Sequence, residues 1–323
     1  MYKPCELRKQ LPSVDLSEFT EEINCLKGFL EDTNYAEKTV IEYLSQLRIF
    51  LAWVKTCRSK TSFKDVTYDD MRRYLRWQRD ENGIEPRTEN DIIATFIKAF
   101  VSIRNENWNF HQLSYRRYDV YLPKVPTNDE VALLLNSPIP VQQKLIISIM
   151  ASSGLRISEV AELKYKDIER KIGIIHVAPG KSRMERNTLL SQTTLQYLAD
   201  YYWYIVRTQN RRPGTEDYIF ATRAGAPLPV YKLRSEVKKA LVACNLQGKG
   251  YCCHSFRHFF GLSVYLSPDP RLRYNLALLR QLLGHKTLAA TEVYVNLAAA
   301  RCFAVDGIAN PLDSMLKQGG RNG

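Results

Sequence analysis

Leu283-Gly284-His285-Lys286-Thr287-Leu288-Ala289-Ala290-Thr291-Glu292-Val293-Tyr294 reads as two short helices joined at a Gly-His turn. Leu288, Val293 and Leu297 make an uneven apolar stripe on the second helix, and Tyr294 sits beside that stripe rather than within it. Alone, such a tyrosine is ordinary, a half-buried ring on an amphipathic helix. Its company upstream changes the reading: Arg156, Lys181 and the cluster His254-Ser255-Phe256-Arg257. Two arginines, two histidines, a lysine and a tyrosine are the side chains needed to bind a phosphodiester and attack it.

The chain has 323 residues, more than one comfortable core requires, and divides into two domains. Its 45% hydrophobic and 25% charged residues are those of an ordinary globular protein. The formal charge of +12 points to a polyanionic partner, nucleic acid before a membrane surface. Lys3, Arg8 and Lys9 are followed by Leu11-Pro12-Ser13-Val14-Asp15, which is no signal-peptide core, and no apolar run is long enough to span a bilayer. Seven cysteines at scattered spacings argue against a disulfide framework and for a reducing, cytoplasmic and nucleoid-associated setting. Cys252-Cys253-His254 is a poor zinc chelate, with no second Cys/His pair at ligand spacing, so no metal and no cofactor are expected.

Residues 1–15, with Pro4 and Pro12, form an N-terminal arm. Helical spacing follows over 16–30 and about 37–57. Thr67-Tyr68-Asp69-Asp70 is a capped start for a helix carrying Arg72, Arg73, Arg76 and Arg79. Arg72, Arg76 and Arg79 share one face, either solvated or lying along a phosphate backbone. A fourth helix runs over about 88–105, completing an all-helical domain over 16–118. Pro123 and Pro126 mark an extended linker over 119–126. Thr127-Asn128-Asp129-Glu130 is a capping box that opens the second domain, 127–297. There a helix over 140–153 ends at Gly154, and Arg156 begins the next. Strands at 173–177 and 187–190 flank a turn holding Lys181, with Arg183 and Arg186 beside it. Helices follow over 191–208, 229–244, 254–266 and 275–283.

A phosphodiester repels nucleophiles, so a metal-free site needs cations that grip its non-bridging oxygens more strongly as the pentacoordinate state forms. Arginine suits this work because its planar fork stays charged and holds two oxygens at once. Arg156 and Arg257 are plausible halves of such a clamp, and His254 lies three residues from Arg257 on one helix face.

With these residues in order, the chain resembles the tyrosine recombinase family of phage integrases and Xer-like proteins. The resemblance rests on Gly154-Leu155-Arg156-Ile157-Ser158-Glu159, Gly180-Lys181, His254-Ser255-Phe256-Arg257-His258, Leu282-Leu283-Gly284-His285 and Tyr294. It covers nearly the whole chain. It implies a mainly α fold with a small antiparallel β element, in which a helical core-binding domain and a mixed α/β catalytic domain form a C-shaped DNA clamp. It implies Tyr294 as nucleophile, leaving a 3′-phosphotyrosyl link and a free 5′-hydroxyl. Arg156 and Arg257 would hold the phosphate, His254 and His285 would assist, Lys181 would protonate the leaving oxygen with Arg183 its rival, and Glu159 would orient Arg156. His258 is read as a packing or supporting residue. The implied partners are double-stranded DNA with specific sites and a homo-tetramer, in which residues 298–323 pass to a neighbouring subunit or fold back on their own domain.

Arg72, Arg73, Arg76, Arg79, Arg183 and Arg186 are the expected DNA contacts. Two other functions fit parts of the pattern. A type IB topoisomerase-like relaxing enzyme would share the Arg, Lys, His and Tyr set, and a catalytically silent accessory protein would share only the DNA binding.

Overall fold

A computed structural model describes residues 11–119, 122–178 and 185–301. The readings for residues 1–10, for Lys181 and Arg183, and for the segment beyond residue 301 lie outside the described residues. The chain forms two compact units that divide between residues 120 and 121.

The first unit is built on α1 (Thr20–Asp32), α2 (Glu37–Arg58), α3 (Tyr68–Asn82) and α4 (Pro86–Ala99). In α2 the buried Val40, Leu44, Leu47, Leu51 and Val54 recur at steps of three and four, one apolar stripe along the helix. Thr67 caps the start of α3 as expected and forms a capping box with Asp70, and Gly83 ends that helix in the left-handed conformation. Pro86 occupies the first turn of α4, where its missing N–H costs nothing. The core is aromatic: the Phe50 ring meets Tyr74, Phe63 and Phe96 at centroid distances of 5.0, 6.4 and 4.5 Å. The structure differs from the single helix expected over 88–105. The α-helix gives way at Phe100–Arg104 to a wider π turn, which Asn105 ends with a positive φ.

The second unit contains α5 (Asn128–Asn136), α6 (Val141–Ser153), α7 (Ile157–Glu162), a three-stranded sheet, α8 (Gln192–Gln209), α9 (Val230–Ala243), α10 (Cys253–Tyr265), α11 (Leu276–Leu283) and α12 (Ala289–Arg301). The sheet is antiparallel in the order β1 (Ile168–Glu169), β2 (Ile174–Val177), β3 (Arg186–Leu189), and Val177 faces Arg186 in the last pair before the segment that joins β2 to β3. Helix α6 is apolar nearly all round, with Leu145, Ile146, Ile147, Ile149 and Met150 buried. It packs against α8 and α10 and is the central element of this unit. A smaller cluster joins Phe260 and Val264 of α10, Leu279 and Leu283 of α11, and Tyr294 and Leu297 of α12. That cluster fixes the helices bearing the candidate nucleophile. Tyr294 is fully buried whereas Leu288 is 44% exposed. The stripe read from the sequence was therefore centred on the wrong residue, because α12 begins only at Ala289 and Leu288 belongs to the turn.

Candidate active site

Arg156 stands at the N-cap of α7, in extended conformation. Glu159, one turn on, accepts the Arg156 backbone N–H at 2.8 Å through Oε2 and the Arg156 Nη1 at 3.1 Å through Oε1. A carboxylate at this position satisfies an otherwise orphaned donor and faces the positive end of the helix dipole. Burial alone would raise the Glu159 pKa, but bonding to Arg186 and the charges of Arg186 and Arg156 more than offset it and bring it down to about 2. Glu159 is thus an anion at any working pH.

Helix α10 carries His254, Arg257, His258 and Gly261 at steps of three, four and seven, which places them along one side of the helix. Arg257 is buried. It donates through Nη1 to the Gly154 carbonyl at 2.5 Å and through Nη2 to the Leu283 carbonyl at 2.7 Å. Its guanidinium therefore ties the turn before Arg156 to the turn before His285. Burial first, and Arg156 second, bring the Arg257 pKa down to about 10, which leaves it charged at neutral pH. The mutual repulsion of these two arginines gives a polyanion two cations already gathered in one place.

Three imidazoles border the same space. The His254 and His258 rings lie 5.6 Å apart, the His258 and Tyr294 rings 5.8 Å, and the His285 ring lies nearly parallel to Tyr294 at 6.4 Å. His285 follows Gly284, and its Nδ1 is 3.0 Å from the buried Thr291 Oγ1 of α12. All three imidazoles titrate below the ordinary range, through burial first and neighbouring cations or imidazoles second; His258 and His285 come down to about 4. At neutral pH they are uncharged, able to accept a proton.

Tyr294 lies among them with its hydroxyl 3.3 Å from His258 Nδ1. Burial raises its pKa to about 12, against the pull of Arg257 and Arg156. Gly261 makes room for the ring, because a Cβ there would overlap the Tyr294 ring atoms.

Arg156, His254, Arg257, His285 and Tyr294 thus come together in the second unit. His258, a packing or supporting residue in the sequence reading, lies beside the phenol, and its four-residue step from His254 sets both on one helix face. Arg186 was expected on the DNA surface, and the structure corrects that reading. Its side chain is 6% exposed and bonded to Glu159 and to the Leu282 carbonyl, so it offers no surface to a phosphate backbone. In the first unit, Arg72 and Arg76 are exposed. Arg73 is paired with Asp69 on its own helix, and Arg79 is paired with the buried Glu89. Among the described residues, no group of three or more His, Cys, Asp or Glu is placed to hold a metal ion, and no helix is long and apolar enough to cross a membrane.

Two arginines and three neutral imidazoles gathered beside a buried phenol are groups suited to phosphoryl transfer, and comparison with known proteins gives the family. Residues 125–301 match the phage integrase family and residues 26–103 match the phage integrase N-terminal SAM-like domain. The chain belongs to the phage integrase family; it is a tyrosine recombinase, an enzyme of DNA strand exchange. Tyrosine recombinase XerD of Chlorobaculum tepidum is 26% identical over 286 residues, covering 82% of this chain and 88% of that protein. XerD of Proteus mirabilis is 25% identical, over 89% of this chain and 90% of its own. The fold is shared with the XerH site-specific recombinase bound to its palindromic difH substrate, at a TM-score of 0.64 and 19% identity over 94% of both chains. It is also shared with a lambda integrase dimer bound to a COC′ core site, at a TM-score of 0.63 and 18% identity over 85% of this chain and 94% of the other.

Proposed function

We propose that this chain is a site-specific recombinase that cleaves and rejoins duplex DNA through a 3′-phosphotyrosyl intermediate on Tyr294. The observation that supports this most directly is the convergence of Arg156, Arg257, His254 and His285 around one phenol within a single unit. In this reading the Tyr294 oxygen attacks the scissile phosphorus and its proton passes to a neutral imidazole. The bond from phosphorus to the 5′-oxygen breaks, and that oxygen takes a proton from Lys181. Arg156 and Arg257 neutralise the non-bridging oxygens, and do so most strongly in the pentacoordinate state. The 5′-hydroxyl of a partner duplex then reverses the step, and a second round of exchange resolves the Holliday junction. The phosphotyrosine conserves the bond energy, so the cycle needs no nucleotide cofactor.

Tyr294 is fully buried, so its hydroxyl reaches a phosphate only if α12 moves away from Gly261 and His258. Four subunits acting on two sites would each perform one such exchange, with the segment after residue 301 linking neighbours. Arg72 and Arg76 are the proposed phosphate contacts of the first unit, and binding weakens with added salt as counterions are released.

The test is covalent trapping on DNA of the source organism, using duplexes nicked so that the short fragment that begins with the new 5′-hydroxyl diffuses away. Wild-type protein gives a denaturant-resistant adduct at discrete sites, and Tyr294→Phe gives none. An adduct with Tyr294→Phe removes this tyrosine as nucleophile. Relaxation of plasmid without any specific site would instead favour a type IB topoisomerase-like activity.

A further inference from the structure

Arg186 opens strand β3, opposite Val177, in the last pair before the segment that joins the two strands. Its guanidinium is buried within the unit. Nη1 donates to Glu159 Oε1 at 3.1 Å and Nη2 to Glu159 Oε2 at 2.8 Å, a two-pronged grip on the carboxylate that also holds Arg156. Nε donates to the Leu282 carbonyl at 3.0 Å. That carbonyl lies in the last turn of α11, where helix acceptors have no partner of their own. Its neighbour, the Leu283 carbonyl, takes Arg257. The end of the helix that leads to His285 is therefore held by two arginines from different elements. Gly284, with φ +64°, lets the chain turn directly over Arg186; a Cβ there would stand 2.9 Å from Arg186 Cδ and 3.0 Å from its Nε and Nη1.

We propose that Arg186 is a positioning residue of the recombination reaction, setting Glu159, and through it Arg156, in register with the turn that presents His285. The inference rests on the recombinase function proposed above. A buried ion pair contributes little net stability compared with well-packed apolar side chains, so stability alone gives no reason for an arginine here. A planar fork meeting three acceptors on two separate elements fixes their mutual geometry, which a lysine's single ammonium does not. Arg186 touches neither DNA nor the reacting atoms. Its effect reaches the phosphate only through the placement of Arg156 and His285.

The experiment compares full-length wild type, Arg186→Lys and Arg186→Met in single-turnover adduct formation on a nicked duplex carrying a site mapped by trapping. Two versions of the duplex are used, one with an ordinary scissile phosphate and one with a methyl group replacing a non-bridging oxygen. The methyl version is neutral there and depends less on Arg156. Arg186→Lys keeps the charge and so keeps the fold if Arg186→Met does not. Arg186→Lys binds the duplex as tightly as wild type, because the residue is buried, but forms adduct about 10–100-fold more slowly on the ordinary phosphate. The loss shrinks on the neutral phosphate. Wild-type rates for Arg186→Lys, or equal losses on both duplexes, overturn the positioning role and leave a purely structural one. If wild type forms no adduct on any DNA, the recombinase function itself fails; if only the variant comparison fails, that function stands without Arg186.

Discussion

The hydroxyl of Tyr294 and Nδ1 of His258 are 3.3 Å apart in the interior of the second unit, with Gly261 one turn further along the same helix. The buried phenol packs against that one helix, which offers it an imidazole and a position without a side chain. Gly261→Ala puts a methyl group into the space of the Tyr294 ring. Overpacking of a close-packed site costs about 1–3 kcal/mol, so the variant unfolds at lower denaturant concentration than wild type. A midpoint equal to that of wild type would mean that α12 yields without cost.

The histidines make the second unit sensitive to acid. His258 and His285 have folded pKa values of about 4, through burial first, while an unfolded histidine titrates near pH 6.5. Between those values the unfolded chain binds more protons, so stability rises with pH in that window. The contribution of the neutral rings is complete above about pH 6.5 and is lost as pH falls toward about 4. Denaturant unfolding across this range gives a slope that His258→Asn reduces by about one proton. An unchanged slope in that variant would assign the acid sensitivity to other groups.

Much of this site was legible because its parts follow local rules. A glycine turn before Arg156, the three-residue step from His254 to Arg257 and the Gly-His turn before Tyr294 are each written within a few neighbouring residues. What bound them together was not local. The partners of Arg186 are Glu159, 27 residues back, and Leu282, 96 residues ahead, and no periodicity marks such a link. Its nearness to Lys181 in the sequence suggested the DNA surface, yet the register of β3 turns it inward opposite Val177. Tyr294 was misjudged for a similar reason, since its burial depends on a glycine of another helix. The π turn at Phe100–Arg104 left no mark either, because its apolar residues suit a continuing α-helix equally well.

In the first unit, one carboxylate holds more than a helix cap. Asp70 is fully buried and accepts the Thr67 backbone N–H at 2.8 Å, the Thr67 hydroxyl at 2.7 Å, Arg58 Nε at 2.7 Å and Lys60 Nζ at 2.5 Å. Burial would raise its pKa, and these bonds more than reverse that, holding the group well below the ordinary carboxylate range. Its stabilisation is therefore present above the unfolded value near pH 3.9 and is lost as pH falls below it. Asp70→Ala removes the carboxylate half of the capping box and strands two cations that still reach water, a loss of about 2–3 kcal/mol in thermal or denaturant unfolding. Asp70→Asn, which keeps the cap and loses the charge, falls between that variant and wild type. Equal stability of all three would show that the aromatic core alone sets the position of α3.

The leaving group supplies the sharpest test of the proposed acid. Breaking the bond from phosphorus to the 5′-oxygen would release an alkoxide, a far stronger base than water at neutral pH tolerates, so a proton must arrive as the bond lengthens. Sulfur in the same position leaves as a thiolate, whose conjugate acid has a pKa near 8.5 in a free thiol, and it needs no such help. Lys181→Ala therefore slows cleavage of the oxygen substrate by about 10²–10⁴-fold and largely spares the 5′-thio substrate. The rival, Arg183, stands two residues further along the sequence, and a guanidinium keeps its proton far more tightly than an ammonium, which makes it the weaker donor. Arg183→Ala is expected to weaken DNA binding while treating the two leaving groups alike. If Lys181→Ala slows both substrates equally while Arg183→Ala discriminates between them, the acid is Arg183 and the assignment of Lys181 is withdrawn.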